Sequence, residues 1–192
     1  MKTLTICATA FNEPYYKQPF ISSMLAQTVQ RGWQGIVFHN GPNPELRESM
    51  KLITNPVYME SEKNTGNWGC ENRQTAIEEC KTDYILQTSV QDYFLPQAME
   101  YIQKGLEKEP DILIFNSINH LVAPCQVLDA QLAWSKCDWG NVVIKASICK
   151  QVPIRNKTAY CGDWSYFSDI LNSGLVNTNN ILKLNAILTC HN

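Results

Sequence analysis

Several absences narrow the reading before any motif is considered. No apolar run in the sequence approaches the ~20 residues that cross a bilayer. The stretch after Lys2 stops at Asn12-Glu13, short of a signal-peptide core. Charge of one sign is lacking too: 16 Lys and Arg stand against 18 Asp and Glu, a formal net charge of −2. That balance carries no general basic field for coating nucleic acid. Only 18% of residues are charged while 44% are hydrophobic, which excludes a disordered chain or a long coiled coil. Neither GxGxxG nor GxxxxGK[ST] occurs, so dinucleotide and P-loop readings lose their main support. Eight cysteines occur without one CxxC pair, which leaves a zinc ribbon unsupported. Cys7 and Cys80 lie among apolar residues, and reduced, mostly buried thiols in a cytoplasmic protein are expected.

What is present is a chain of 192 residues, long enough for one domain with a sizeable core. Its first half alternates strand and helix signals. Leu4-Thr5-Ile6-Cys7-Ala8 reads as a strand, and 19–30 as a helix closed by Gly32. Ile36-Val37-Phe38 is a second strand, and Asn43-Pro44-Glu45 reads as an N-cap with proline in the first turn. Strands at 56–59, 84–86 and 112–115 alternate with helices at 71–80 and 97–108. This alternation predicts an α/β fold, a mostly parallel central sheet flanked by helices. The second half is less regular: short strands and loops over 118–150, a helix from Gly162, and a strand over 181–189.

In an open α/β sheet, ligands bind beyond the carboxyl ends of the strands. The residues there are polar or glycine: Thr9 to Glu13, His39-Asn40-Gly41, Asn64-Thr65-Gly66 with Asn72-Arg73-Gln74, and Ser89-Val90-Gln91-Asp92.

Taken together these segments resemble the glycosyltransferases of family 2, which have the GT-A fold. Phe11-Asn12-Glu13 is similar to the family's P-x-Y-N-E turn. Asn64-Thr65-Gly66 and Asn72-Arg73-Gln74 resemble N-x-G…A-R-N, and Thr82-Asp83-Tyr84-Ile85 resembles G-E-Y-I. Ser89-Val90-Gln91-Asp92-Tyr93 through Pro96 resembles D-x-D-D-Y-x-x-P, and Gly162-Asp163-Trp164 resembles E-D-W at a helix start. The resemblance implies a single GT-A-like domain over 1–192, with 1–96 as the nucleotide-sugar half and 97–192 as the acceptor half. It implies sugar transfer, with inversion, from a nucleoside-diphosphate donor to a hydroxyl acceptor. Asp163 would be the general base. Thr9, Phe11, Glu13, His39, Asn40, Asn64, Gly66, Arg73, Ser89 and Gln91 would bind the nucleotide sugar. Asp92 and His191 would hold a divalent cation, Mn²⁺ or Mg²⁺, and Trp139 and Lys145 would face the acceptor.

Ser89 and Gln91 replace family aspartates, and a neutral amide holds a hard cation less firmly than a carboxylate. Those replacements also suit a catalytically inactive sugar-nucleotide-binding or scaffold protein. A nucleotidyltransferase would show a glycine-rich, basic loop after the first strand, and Ala10-Phe11-Asn12-Glu13 is neither. Asp163 also reads as the first-turn acid of its own helix. Trp68, Trp134, Trp139 and Trp164 read first as core or rim, with Trp139 beside Gly140-Asn141 the one most suggestive of sugar contact. Between Asp138 and Asp163 lie Lys145, Lys150, Arg155 and Lys157 and no acid. That stretch reads either as a solvated basic face or as a site for an anionic acceptor, a phosphate-bearing glycan or lipid, or DNA with a hydroxymethylated base.

Overall fold

The computed structural model describes residues 1–11, 31–51, 56–64, 66, 69–119, 126–155 and 162–191. The chain opens with β1 (Leu4–Ala10), β2 (Gln34–His39), α1 (Pro44–Lys51), β3 (Pro56–Glu60), α2 (Cys70–Glu79) and β4 (Tyr84–Ser89). It continues with β5 (Tyr93–Phe94), α3 (Ala98–Leu106), β6 (Ile112–Asn119), β7 (Gln126–Leu128) and β8 (Val142–Lys145). Last come α4 (Ala146–Cys149), α5 (Gly162–Asn172) and β9 (Ile181–His191). The expected helix over 19–30 lies outside the described residues.

Among the described residues the strands form one sheet in the order β3-β2-β1-β4-β8-β6-β9-β5, with β7 on β6. The first four run parallel. β8 is antiparallel to both β4 and β6, and β9 runs parallel to β6 across a bulge at Asn116. Strand order reverses between β1 and β4: the chain moves outward through β2 and β3, then returns to the other side of β1. Such a switch point opens a crevice at the carboxyl ends of the two strands.

Alternating residues of each strand feed two cores. Leu4, Ile6 and Ala8 of β1, Leu86 of β4, and Leu113 and Phe115 of β6 pack with Met99, Ile102 and Leu106 of α3. Ile85, Ile112, Ile114 and Ile144 face the other way, against Ile77 of α2, Ile148 of α4 and Phe167 and Ile170 of α5. A two-residue period with apolar groups on both faces is what a sheet covered by helices on both sides requires. Each fully buried leucine or isoleucine stabilises the fold by roughly 1.5–3 kcal/mol. The Asn43 cap forms as expected: its Oδ1 accepts the Leu46 N–H at 3.0 Å.

The two edges of the sheet have different chemistry. At the amino ends of β1 and β4, Asp83 accepts the Thr3 N–H and hydroxyl at 2.8 and 2.9 Å, and Lys145 pairs with Asp111 at 2.6 Å. The carboxyl ends of the same strands border the cleft.

Candidate active site

The cleft has a volume of about 1000 Å³. Its floor is the switch point, with Thr9 and Ala10 ending β1, Ser89 ending β4, and Gln91 and Asp92 following β4. Two helices, α2 and α5, present their first residues to it, Cys70 on one and Gly162 and Asp163 on the other. Helix N-termini leave unpaired N–H groups and a partial positive charge, which favour an anionic ligand.

Arg73, on the buried face of α2, is 5% exposed. It ties the two strand ends together: Nη2 donates to Thr9 Oγ1 at 2.8 Å and Nη1 to the Thr88 carbonyl at 3.0 Å. The Trp139 ring covers its guanidinium at 4.9 Å, a cation–π contact. Burial pulls the Arg73 pKa below its ordinary value, opposed by nearby acidic groups, Asp92 and Asp138 included. Gly69 caps α2 with φ +71°, and a Cβ there would stand 3.4 Å from the Thr9 side chain. The left-handed turn thus lets the helix begin directly against β1.

Asp92 and His191 meet although 99 residues separate them. Tyr93 of β5 pairs antiparallel with Cys190 of β9, so the register places the preceding aspartate opposite the following histidine. Asp92 Oδ1 lies 2.6 Å from His191 Nδ1, while Oδ2 accepts the Thr88 hydroxyl at 2.5 Å and the Ser89 N–H at 3.0 Å. The hydrogen bond to Asp92 raises the His191 pKa to about 9 against the opposing effect of burial.

Two more carboxylates face the cleft. Asp163, in the first turn of α5, accepts the Trp164 N–H at 2.6 Å. Burial raises its pKa, and the Trp164 N–H and the charge of Arg73 oppose the shift. It therefore serves as a helix-start acid and faces the cleft as well. Asp138 caps the single turn at 139–141: its Oδ1 accepts the Gly140 N–H at 2.5 Å, and Asn141 returns the contact to the Asp138 N–H at 3.1 Å. Burial, then the Asp92 charge, raises its pKa. A Cβ on Gly140 would lie 3.1 Å from both Asp138 Oδ1 and Asp92 Oδ2, so a side chain there would press on both carboxylates.

The cleft gathers Thr9, Phe11, Asn40, Asn64, Gly66, Arg73, Ser89, Gln91, Asp92, Trp139, Asp163 and His191, all singled out in the sequence. Asn40 Nδ2 donates to Asn64 Oδ1 at 3.0 Å and to the Gly66 carbonyl at 3.2 Å, which joins the loops after β2 and β3. Glu13, Thr65, Trp68 and Lys157 lie outside the described residues. His39 is not brought to the cleft. It is buried at the end of β2, with Nδ1 donating to the Gly41 carbonyl at 2.7 Å and Nε2 3.2 Å from Asn43 Nδ2. Lys145 is at the opposite edge altogether, because β8 runs antiparallel to β4 and carries its last residue to the Asp111 end. Lys150 is there too, donating to the Cys80 carbonyl at 2.7 Å. The expected basic border to an acceptor site is thus not formed by these lysines. Trp139 lines the cleft, but Arg73, Tyr166 and Phe167 occupy its ring.

Sequence reasoning missed Asp138 and undervalued Trp134. A legible signal for the first was an Asp two residues before Gly140-Asn141 at the start of an apolar strand, the pattern of a capped turn.

No protein-family model matches the sequence, and no curated protein matches it. Solved structures do match. The crystal structure of S. aureus TarS aligns with a TM-score of 0.77 at 16% identity, covering 100% of this chain and 36% of that one. TarS 1–349 in complex with UDP-GlcNAc gives a TM-score of 0.78 at 16% identity, over 99% of this chain and 58% of that one. The mannosyltransferase PcManGT from Pyrobaculum calidifontis, in complex with GDP-Man and Mn²⁺, gives 0.72 at 9% identity, over 97% and 56%. The chain spans less than two thirds of the length of each. At these identities the likeness establishes the fold, a mixed α/β domain with a curled sheet shared with glycosyltransferases.

Proposed function

We propose that this chain transfers a sugar, with inversion, from a nucleoside-diphosphate donor to a hydroxyl acceptor. One observation carries the reading. The switch-point cleft sets the β1 and β4 ends, with Arg73 between them, opposite a helix-start carboxylate whose pKa burial has raised. Neighbours of the same fold were solved with UDP-GlcNAc and GDP-Man, which supports a sugar-nucleotide donor.

In this reading residues 1–96 bind the donor. Thr9, Phe11, Asn40, Asn64 and Gly66 take the nucleoside, and Glu13, two residues after Phe11 in sequence, is proposed with them from the sequence alone. Ser89, Gln91 and Arg73 take the ribose and diphosphate, assisted by the start of α2. Residues 97–192 hold the acceptor and supply the base. Asp163 accepts the proton of the acceptor hydroxyl as its oxygen attacks the anomeric carbon from the face opposite the diphosphate. The anomeric C–O bond breaks, its electron pair leaves with the nucleoside diphosphate, and the anomeric configuration inverts. A carboxylate with a raised pKa is the better base for that proton.

Among the described residues no group of three His, Cys, Asp or Glu forms a metal cage. The donor set present is one carboxylate and one imidazole, Asp92 and His191. By residue type that set suits a Mn²⁺- or Mg²⁺-type site completed by donor phosphates and water, with the 2.6 Å Asp92–His191 hydrogen bond and its proton given up to the ion. Asp92 and His191 would hold such an ion, and when bound it would offset the charge on the departing diphosphate.

A second reading, a sugar-nucleotide-binding protein without turnover, draws on Ser89 and Gln91 and on the engagement of both Asp92 oxygens within the protein. Melting curves with a panel of nucleoside diphosphates and their sugars, with and without Mn²⁺ or Mg²⁺, test both. A ligand that binds only the folded state raises the melting temperature. At least one diphosphate should do so, and the wild type should hydrolyse or transfer the sugar where Asp163→Ala does not. No shift with any at millimolar levels refutes the donor site. A shift without turnover selects the second reading. An equal shift without metal refutes the Asp92–His191 ion site.

A further inference from the structure

Trp134 is 60% exposed, yet it lines the cleft. Trp139 is packed on by Arg73, Tyr166 and Phe167, and Trp164 packs against the core. Among the described residues no ring or cation packs on Trp134. It stands at the tip of a tight turn over 131–136. The Gln131 N–H donates to the Lys136 carbonyl at 2.9 Å, and the Lys136 N–H to the Ala133 carbonyl at 3.0 Å. The next residue, Ser135, has φ +56°, a left-handed conformation that a non-glycine residue adopts at a cost. The turn is footed on the buried Cys137, whose thiol feels the charges of Asp163 and Asp138. The free indole therefore belongs to the wall that carries Asp163.

That wall is acidic. Asp138 and Asp163 are its charged groups, and no lysine lines the cleft among the described residues. A phosphate-bearing acceptor would approach two carboxylates, while among the described residues the two cations lining the cleft are already engaged, Arg73 with Thr9 and Thr88 and His191 with Asp92. A neutral sugar ring meets no such repulsion. Its C–H face stacks on an indole, and its hydroxyls suit Ser135 and the two carboxylates.

From this we infer that Trp134 is the acceptor platform, and that the acceptor is a neutral glycan whose ring stacks on the exposed indole and presents a hydroxyl toward Asp163. This rests on the sugar-transfer reading and names its acceptor class.

The test uses the full chain and its Trp134→Phe and Trp134→Ala variants. Cellotetraose, maltotetraose and chitotetraose are the neutral probes, tetragalacturonate the acidic one, and saturation-transfer NMR reads binding without nucleotide. Nucleoside-diphosphate melting shifts are measured in parallel. At least one neutral tetrasaccharide should bind. Trp134→Ala should weaken it 10-fold or more and Trp134→Phe less than 3-fold, with melting temperature and diphosphate shifts unchanged. Equal binding by Trp134→Ala, or no neutral probe bound, overturns the platform. Preference for tetragalacturonate overturns the acceptor class. Loss of the diphosphate shift in Trp134→Ala assigns the indole to the donor nucleobase and overturns the proposal. Trp134-dependent glycan binding with no diphosphate shift leaves the platform standing and refutes the donor site instead.

Discussion

The two edges of the sheet carry the same residue type under opposite conditions. At the edge away from the cleft, hydrogen bonds from the Thr3 N–H and hydroxyl pull the Asp83 pKa below its ordinary value. Burial of Asp111 would raise its pKa but is outweighed by Lys145, the Asn177 N–H and Asn180, so the net shift is downward. At the cleft edge burial dominates, and Asp138 and Asp163 are both shifted upward. Carboxylates that are fully compensated hold the strands in place. Carboxylates left under-compensated have proton affinity to use, and such groups mark sites of chemistry.

The largest break in this comparison comes from Asp163→Asn. Turnover should fall by about 10²–10⁴-fold, the usual contribution of a general base, while the diphosphate melting shift persists. Steady-state release of nucleoside diphosphate measures it.

Arg73→Ala removes the tie between β1 and β4. Two buried acceptors, Thr9 Oγ1 and the Thr88 carbonyl, lose their donor. Stability in urea should fall by roughly 2–4 kcal/mol.

Asp138→Asn sharpens the contrast through pH. The folded-state pKa of Asp138 is raised from 3.8 to about 6. A raised acid disfavours the folded state once it must ionise. The penalty is absent below pH 3.8, grows between there and about 6, and is complete above. Asn keeps an oxygen for the Gly140 N–H. The variant should therefore be more stable than wild type at pH 8, by roughly 1–3 kcal/mol, and no more stable at pH 3.5.

The smallest effect is expected at the opposite edge. Lys145→Ala should cost about 1 kcal/mol, since the pair is partly screened by solvent, and should leave turnover and diphosphate binding unchanged. The depressed Asp111 pKa gives stability that is present above 3.8 and lost as the pH falls through the folded value, and the variant should show less of that loss.

Much of the frame was legible because it depends on local patterning. The two-residue period of β1, the unbroken apolar run of β6, the Asn43 cap and the helix-start position of Asp163 all follow from neighbours in sequence. What escaped depends on register and strand direction. His39 ends a strand as expected, but its ring turns to Gly41 and Asn43. Lys145 lies in a stretch that borders the cleft at Trp139, but antiparallel β8 carries it to the other edge. The acid-free run of charge looked like one surface in sequence and is divided by that strand. Trp139 and Trp134 are near neighbours of the same type, and only packing separates the covered ring from the free one.

Amide hydrogen exchange with and without a nucleoside diphosphate tests the cleft assignment most directly. If the diphosphate sits in the cleft, exchange should slow over 9–11, 69–73 and 88–92, with no change at Asp83, Asp111 and Lys145. Slowing at the Asp111 edge, or none at the β1 and β4 ends with any diphosphate at millimolar concentration, would contradict it.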